Sequence, residues 1–297
     1  MTFSVVIPTK NRPVELKTLF NSIINQNRMP DQVIVIDQSE IKNVIKKNIL
    51  LQAKKHNIDI TYIHDSKITG LVQAKIASIP FNRCDYISFF DDDVVLDKDY
   101  FYFVEKTFLQ NKEMVGVNGL IVNLSKQNFF KRLLFKLTHF GLFSDDRQST
   151  IRFLKSNDLK FKRVNTLSGG ISTWKKEVFE VVFFDNNNLF HAYEDKEFSI
   201  RVEKIFPNSM FILSDAKLFH YHSKGNRQTV LNRTQKDIFE ILVLFKKNGS
   251  FKYLGLDLIM ILLGLFTKSI FISIKYRDID YFLSFFKGFY NGYRKNI

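Results

Sequence analysis

Three consecutive aspartates, Asp91, Asp92 and Asp93, directly follow the apolar run DYISFF. The run is typical of a buried strand, and neighbouring carboxylates repel each other where such a strand ends. In an extended segment Asp91 and Asp93 share one face, while Asp92 points to the other. Two carboxylates on one face suit a hard divalent cation, Mg²⁺ or Mn²⁺, which prefers oxygen ligands. A solvated acidic turn is the alternative, but the apolar strand before the triplet favours the metal site.

Strand and helix patterns alternate from the N-terminus to these aspartates. The strand-like segments are FSVVIP, DQVIVID, DITYIHD and DYISFF, and the segments RPVELKTLFNSIINQ, KNVIKKNILLQAKKH and GLVQAKIASI between them have apolar residues at helical spacing. This βαβαβαβ order predicts a mostly parallel, doubly wound α/β sheet. Ligands of such sheets bind outside the carboxyl ends of the strands, where Asp37 and the aspartate triplet both lie.

The pattern is less regular after the triplet. Residues 100–123 predict one further helix and strand, whereas residues 124–163 are rich in basic and aromatic residues and have no clean period. We expect this second stretch to be an insertion that borders the site on its acceptor side. The segment RVNTLSGGISTWKKEVFEVVFFD then predicts a strand, a glycine turn and a helix. In HAYEDKEFSIRVEKIF, apolar residues at helical spacing predict a helix that begins near Glu194 and Asp195.

The composition indicates a folded cytoplasmic protein with a basic C-terminal region. The 297 residues are 45% hydrophobic and 25% charged, which suits one main domain with an appendage. The single Cys84 allows no intramolecular disulfide, and the N-terminus lacks the pattern of a signal peptide. Of the net charge of +14, residues 216–297 contribute fourteen Lys and Arg against five Asp and Glu. This bias predicts a polyanionic partner, either nucleic acid or an anionic membrane surface.

Two apolar segments lie in this C-terminal region. Leu254–Ile274 is about long enough to span a bilayer, but Asp257 and Lys268 interrupt it, and the uncharged core Leu258–Thr267 is too short to cross. Further on, helical spacing places six aromatic residues on one face: Phe282, Phe285, Phe286, Phe289, Tyr290 and Tyr293. Basic residues lie nearby, as in interfacial helices. The segments could pack as core, span a membrane or lie on its surface, and we favour the surface.

Five segments together resemble the family 2 glycosyltransferases with the GT-A fold. They are SVVIPTKNRPVELKTLFNSIINQ, PDQVIVIDQS, ISFFDDDVVLDKDYF, LSGGISTWKKEVFE and AYEDKEFSIRV, in that order. Each is weak alone, but the ordered set is specific. The resemblance implies a GT-A catalytic domain over residues 1–225, with a nucleotide-sugar-binding half (1–123) and an acceptor half (124–225). Residues 226–297 would then be a helical, membrane-associating extension.

On the donor side, the resemblance implies a role for each residue that matches a family motif. Asp91 and Asp93 match the family's DxD pair, whose metal bridges the donor diphosphate. Lys75 stands where relatives commonly carry the Arg of an Ala-Arg-Asn triplet; it keeps the charge but loses the bidentate fork. The other implied donor-binding residues are Pro8, Thr9 and Arg12 of the first loop, Asp37 at the base or ribose, and Asp92. The alternative for Asp37 is a helix or turn cap.

On the acceptor side, Asp195 in YEDKEF matches the family's general base, and Glu194 is expected to hold acceptor hydroxyls. An ordinary acid at a helix N-terminus is the alternative for Asp195. The segment LSGGISTW resembles the family's acceptor-side segment, in which Ser168, Gly169 and Gly170 would let the backbone approach a sugar and Trp174 would stack on it, unless Trp174 is core. Some relatives complete the metal shell with a histidine. His220 and His222 of FHYHS are the candidates, with His222 preferred.

These features predict an inverting, metal-dependent glycosyltransferase of the hexosyltransferase type, with Mn²⁺ or Mg²⁺ as cofactor. It would move sugar from a nucleoside diphosphate donor, most simply a UDP-sugar, to a hydroxyl of a glycan or lipid-linked acceptor in bacterial surface-polysaccharide synthesis. We expect a peripheral enzyme on the cytoplasmic face of the cell membrane, with no nucleic-acid partner. The alternatives are a metal-dependent sugar nucleotidyltransferase and a non-catalytic, membrane-bound polyanion-binding protein. A dehydrogenase is excluded because the chain has no GxGxxG.

Overall fold

The computed structural model describes residues 1–41, 44–125, 141–185, 193–223, 230–248 and 256–295, together with 132, 135, 139, 187 and 190. The chain divides into two compact units. Unit 1 comprises Met1–Leu124, Asp146–Asn188 and Phe198–Gly225, and unit 2 comprises Ser125–Asp145, Leu189–Glu197 and Asn226–Ile297.

Within the described residues, a nine-stranded sheet is the framework of unit 1. Its strands are β1 (Phe3–Thr9), β2 (Gln32–Asp37), β3 (Asp59–His64), β4 (Tyr86–Phe90), β5 (Val94–Leu96), β6 (Gly116–Ile121), β7 (Phe161–Arg163), β8 (Ile171–Lys175) and β9 (Met210–His220). The strand order is β3-β2-β1-β4-β8-β6-β9-β5, and β7 pairs with β9. The first four strands are parallel, β8 runs antiparallel to both β4 and β6, and β9 runs parallel to β6.

Helices connect and cover these strands. Unit 1 contains α1 (Pro13–Ile24), α2 (Lys46–Lys55), α3 (Leu71–Ser78), α4 (Tyr100–Gln110), α5 (Arg147–Ser156) and α6 (Val178–Val181), and α7 (Glu194–Ile205) begins in unit 2 and continues into unit 1. Every residue of β1, β2 and β4 is buried, as expected for parallel strands covered on both faces. The predicted doubly wound α/β architecture is therefore confirmed, and its purely parallel part ends where β8 enters beside β4.

The stretch predicted as an insertion, residues 124–163, is partly regular structure. Its described residues include α5 and β7, and β7 pairs with the first residues of β9. The last residues of that stretch therefore belong to the sheet. Residues 126–131, which carry part of its basic and aromatic sequence, lie outside the described residues.

Three helices make up most of the described part of unit 2: α8 (Val230–Asn248), α9 (Leu256–Tyr276) and α10 (Asp280–Arg294). Helix α10 packs closely on α8 because it presents glycines there: a Cβ on Gly288 would lie 2.4 Å from the carbonyl oxygen of Gln235. The predicted C-terminal helical extension is thus confirmed. Among the described residues, Asp257–Tyr276 is the one helical segment long and apolar enough to cross a membrane, with a mean hydropathy of 2.0.

Candidate active site

Asp91, Asp93 and His220 form a compact cluster at the carboxyl end of β4, with one ligand atom from each within 4.8 Å of the others. Nε2 of His220 lies 3.1 Å from Oδ1 of Asp93 and 3.7 Å from Oδ2 of Asp91. The β5–β9 ladder aligns Val94 with His220 and so brings the histidine to the aspartate turn. The backbone N–H of Ser223 donates to Oδ2 of Asp93 at 2.7 Å and fixes the carboxylate orientation.

These three side chains suit a divalent cation. Oδ1 of Asp93 is buried and, among the described residues, accepts no hydrogen bond of normal geometry. Two carboxylates and one imidazole offer the oxygen and nitrogen donors that Mn²⁺ accepts, with further positions left for ligand oxygens. Asp91 keeps 32% of its side chain exposed, so the cluster is reachable from solvent. The residues therefore fit the predicted Mn²⁺ or Mg²⁺ site.

The two carboxylates differ in acidity. Burial raises the pKa of Asp91 above its ordinary value, although His220 and Lys75 oppose the shift. Burial also acts to raise the pKa of Asp93, but His220, the Ser223 N–H and Arg12 outweigh it, and the pKa of Asp93 is lowered. Asp93 is therefore the carboxylate of the cluster that is ionised most readily. A nearby positive charge would favour the ionised form of Asp91 more than that of Asp93.

Asp92 points away from this cluster, although Asp92 and Asp93 lie in a turn and not in a strand as the sequence predicts. Its carboxylate accepts hydrogen bonds from Thr9 Oγ1 at 2.8 Å and from Arg12 Nη1 at 2.9 Å. Burial raises the pKa of Asp92 to about 6, with the Thr9 and Arg12 contacts opposing the shift. Arg12 also lies 3.6 Å from Asp93 and so offsets the repulsion within the triplet. Thr9 and Asp92 thus join the first loop to the aspartate turn. Their expected donor contacts stay a prediction.

Gly170 packs against the metal-ligand candidate Asp91. Its carbonyl oxygen accepts the Asp91 N–H at 2.8 Å, and a Cβ on Gly170 would lie 2.1 Å from Oδ2 of Asp91. The Asp91 carboxylate therefore occupies the space that a side chain at position 170 would need. The predicted contact of Gly170 with an acceptor sugar stays a prediction.

Comparison with known proteins now identifies the family. Residues 4–183 match the family model described as Glycosyl transferase family 2. The chain belongs to glycosyl transferase family 2. No curated protein sequence matches it significantly.

Solved structures with the same fold are similar over most of this family 2 chain. S. aureus TarS 1–349 in complex with UDP-GlcNAc has a TM-score of 0.60 at 15% identity, covering 97% of this chain and 81% of that one. Mannosyltransferase PcManGT from Pyrobaculum calidifontis, in complex with GDP-Man and Mn²⁺, has a TM-score of 0.59 at 12% identity, with 98% and 87% covered. GalNAc-T7 with UDP, GalNAc and Mn²⁺ has a TM-score of 0.60 at 14% identity, and the match covers 83% of this chain and 48% of that one. These similarities show the GT-A fold.

Three other expected donor contacts of the glycosyltransferase are buried away from solvent. Pro8 lies inside β1. Asp37 accepts hydrogen bonds from the Ser39 N–H and the Tyr62 hydroxyl, at 3.0 and 2.8 Å, so it follows the alternative of a turn cap. Lys75 is 1% exposed and lies over the rings of Phe89 and Phe184. Its positive charge opposes the rise in the pKa of Asp91 that burial causes, so Lys75 offsets part of the negative charge of the cluster.

Trp174 follows the alternative of a core residue, and His222 lies outside the cluster. Trp174 is 3% exposed, packs edge-on against Phe198 and fills the space left by Gly116, so it has no free face for a sugar. His222 follows the end of β9 at a positive φ of 51°, exposed, while its ring lies 4.0 Å from that of His220. The β5–β9 pairing ends at His220, which is why His220 joins the aspartates and the preferred candidate, His222, does not.

Glu194 and Asp195 form the first turn of α7 in unit 2, where the sequence predicts a helix to begin. The Lys196 N–H donates to Oδ1 of Asp195 at 2.7 Å. The preceding Tyr193 N–H donates to Oε2 of Glu240 at 3.1 Å. Glu240 lies on α8 and is 1% exposed, so a buried carboxylate anchors the start of α7. The sequence signal that could have revealed this role of Glu240 is the presence of an acidic residue on the apolar face of α8.

Substituting Gly170 with Ala should weaken metal binding about 10- to 100-fold, the usual effect of disturbing a group that supports a ligand. The new Cβ would meet the Asp91 carboxylate at 2.1 Å and force it to rotate away from His220. Calorimetric titration with Mn²⁺ in the presence of UDP measures the loss. The melting temperature without metal should change little, because a carboxylate can rotate at small cost. If the variant binds Mn²⁺ as tightly as the wild type does, Asp91 is not a metal ligand.

Proposed function

We propose that this family 2 glycosyltransferase moves a sugar from a nucleoside diphosphate donor to a hydroxyl of a glycan or lipid-linked acceptor, with inversion at the anomeric carbon. The observation that carries the proposal is the Asp91–Asp93–His220 cluster at the carboxyl edge of a GT-A sheet. A UDP-sugar is the favoured donor, supported by the UDP-containing TarS and GalNAc-T7 structures. PcManGT, which has GDP-Man, keeps a guanine nucleotide as the second choice.

The donor half of the mechanism rests on charge. When bound by these ligands, Mn²⁺ or Mg²⁺ supplies positive charge that stabilises the departing nucleoside diphosphate. Asp93 and His220 hold their positions through the Ser223 N–H and the β5–β9 ladder. Gly170 leaves room for Asp91, and Lys75 balances its charge. Arg12 pairs with Asp92, which leaves Asp91 and Asp93 as the carboxylates that would hold the metal.

The acceptor half rests on Asp195. As the acceptor oxygen bonds to the anomeric carbon, its proton passes to the Asp195 carboxylate, and the bond from the anomeric carbon to the diphosphate oxygen breaks. A carboxylate suffices as base because the hydroxyl loses its proton only as the new bond forms. Glu240 holds the start of α7 and thereby the position of Asp195, and Glu194 binds acceptor hydroxyls. A single displacement of this kind inverts the anomeric centre.

The biological setting that we propose is bacterial surface-polysaccharide synthesis at the cytoplasmic face of the membrane. Lipid-linked acceptors reside there, and the basic C-terminal region suits an anionic surface. Family 2 membership argues against the sugar nucleotidyltransferase and the non-catalytic polyanion-binding protein.

A donor panel tests the proposed function. UDP-, GDP-, dTDP- and CMP-sugars are titrated calorimetrically into the protein with Mn²⁺ and again with a chelator. One nucleotide class, expected to be uridine, should bind with Kd between about 1 µM and 1 mM, the usual range for enzyme substrates. Chelation should weaken that binding at least about tenfold. Binding that is indifferent to metal, or absent for all four classes, would contradict the proposal.

A further inference from the structure

Helices α9 and α10 each carry an exposed apolar stripe. On α9 it includes Leu263, Ile270 and Ile274, and on α10 it includes Phe286, Tyr290 and Tyr293. The spacing of three, four or seven residues places each set on one side of its helix. Ile274 is 69% exposed and Tyr293 is 68% exposed, so these are side chains that project into solvent. We call these six residues the C-terminal apolar face.

The two stripes lie on the same side of unit 2. Gly288 and Gly292 of α10 contact α8, and Lys268 of α9 lies 3.5 Å from Asp237 of α8. The stripes are on the opposite sides of their helices from these contacts, so both face away from α8. Phe266 of α9 packs against the rings of Phe282, Phe285 and Phe286 and joins the two helices side by side. The result is one continuous surface formed by two helices.

Basic residues accompany this surface. Lys287, Arg294 and Lys295 of the α10 region are all exposed. Arg294 donates to the Tyr290 hydroxyl at 2.6 Å and lies over its ring, so a cation and an aromatic hydroxyl form the edge of the apolar face together. Residues 216–297 hold fourteen Lys and Arg against five Asp and Glu. An apolar surface edged by cations is complementary to acyl chains below anionic headgroups.

We propose that the C-terminal apolar face inserts into the headgroup boundary of an anionic phospholipid membrane and holds the enzyme there as a peripheral protein. Exposed apolar surface of this kind on a soluble protein marks an interaction site. Tyrosines with their hydroxyls at the polar boundary are typical of the membrane interface. The proposal does not depend on the reaction, so either can fail while the other stands.

A membrane-spanning α9 fits the same contacts less well. Lys268 lies in the second half of α9, and its Asp237 partner belongs to α8, which also carries the buried Glu240. A spanning α9 would have to leave α8 or take these ionisable groups into hydrocarbon, which is costly. An interfacial position keeps α8 and its charges outside the lipid. Only the exposed stripes then enter the membrane.

Vesicle co-sedimentation of the full-length protein tests this proposal. Vesicles of phosphatidylcholine alone should bind the protein weakly. Vesicles with 30% phosphatidylglycerol should bind it strongly in low salt, and the increase in affinity should be roughly that of several basic residues at an anionic surface. Ile274→Ser should reduce binding about tenfold, because it removes an inserted aliphatic group. Lys287→Gln should reduce binding about fivefold, and only to the anionic vesicles. The control is Leu51→Ser on α2 in unit 1, which removes an equally exposed aliphatic group, 66% exposed.

Three results would overturn the proposal. Equal binding by wild type and both variants would show that this face does not insert. Resistance of membrane-bound protein to alkaline carbonate extraction would indicate a spanning helix. Self-association in the absence of lipid that Ile274→Ser abolishes would show that the face binds a second copy of the chain. Circular dichroism verifies that the variants are folded. Lys287→Gln changes an exposed side chain, so at least this variant should fold normally.

Discussion

Replacing Asp93 with Asn is expected to abolish metal-dependent donor binding and to lower kcat/KM about a thousandfold or more. Asp93 is the buried, ionised member of the cluster, because His220, Ser223 and Arg12 lower its pKa. Asparagine keeps the shape and can still accept the Ser223 N–H, but it removes the charge that a cation requires. Loss of a single preorganised group that stabilises a transition-state charge already costs about a hundred- to a thousandfold. Initial rates and calorimetry with Mn²⁺ measure both effects.

The matched control for this substitution is Asp158→Asn, the same change at an exposed acid outside the cluster. It should leave kcat/KM and Mn²⁺ affinity within about twofold of wild type, as is usual for surface substitutions. If Asp93→Asn keeps a wild-type response to Mn²⁺ while the control behaves as expected, the cation is held elsewhere. The central observation behind the proposed function would then be lost.

The framework of the fold could be predicted because it depends on local period: apolar runs indicate strands. The aspartate triplet lies in the turn between β4 and β5, where the period of a strand no longer applies. Parallel order then places the strand ends at one edge. None of these steps requires knowledge of which distant segments meet.

The remaining site residues depend on pairings that a single sequence does not reveal. Arg12 and Asp92 are 80 residues apart in the chain, and Tyr193 and Glu240 are 47 apart. The choice between His220 and His222 is made by the register of β5 on β9. Trp174 follows a glycine-rich turn and so looks accessible, but the missing side chain of Gly116 gives its ring a place in the core. Tertiary packing also separates the six aromatic residues that helical spacing places on one face: Phe285 is buried, whereas Tyr290 is exposed.

Replacing Asp195 with Asn is expected to reduce kcat by about two to four orders of magnitude, the usual contribution of a general base. The Kd for donor and Mn²⁺ should stay within about twofold, because the metal ligands lie in unit 1 and Asp195 begins a helix in unit 2. The amide oxygen can still accept the Lys196 N–H, so the first turn of α7 should persist. Single-turnover rates separate this loss from binding and from product release.

Two companion variants make the assignment of Asp195 specific. Glu203→Gln, on the last turn of the same helix, removes an ion pair with Arg163 and should leave kcat near wild type. Glu194→Gln should raise the acceptor KM more than it lowers kcat, because Glu194 would bind acceptor hydroxyls without taking the proton. If Glu194→Gln instead removes the rate and Asp195→Asn changes only KM, the two carboxylates exchange roles. A wild-type kcat in Asp195→Asn would mean that the base is another residue, since an asparagine cannot accept the proton of the attacking hydroxyl.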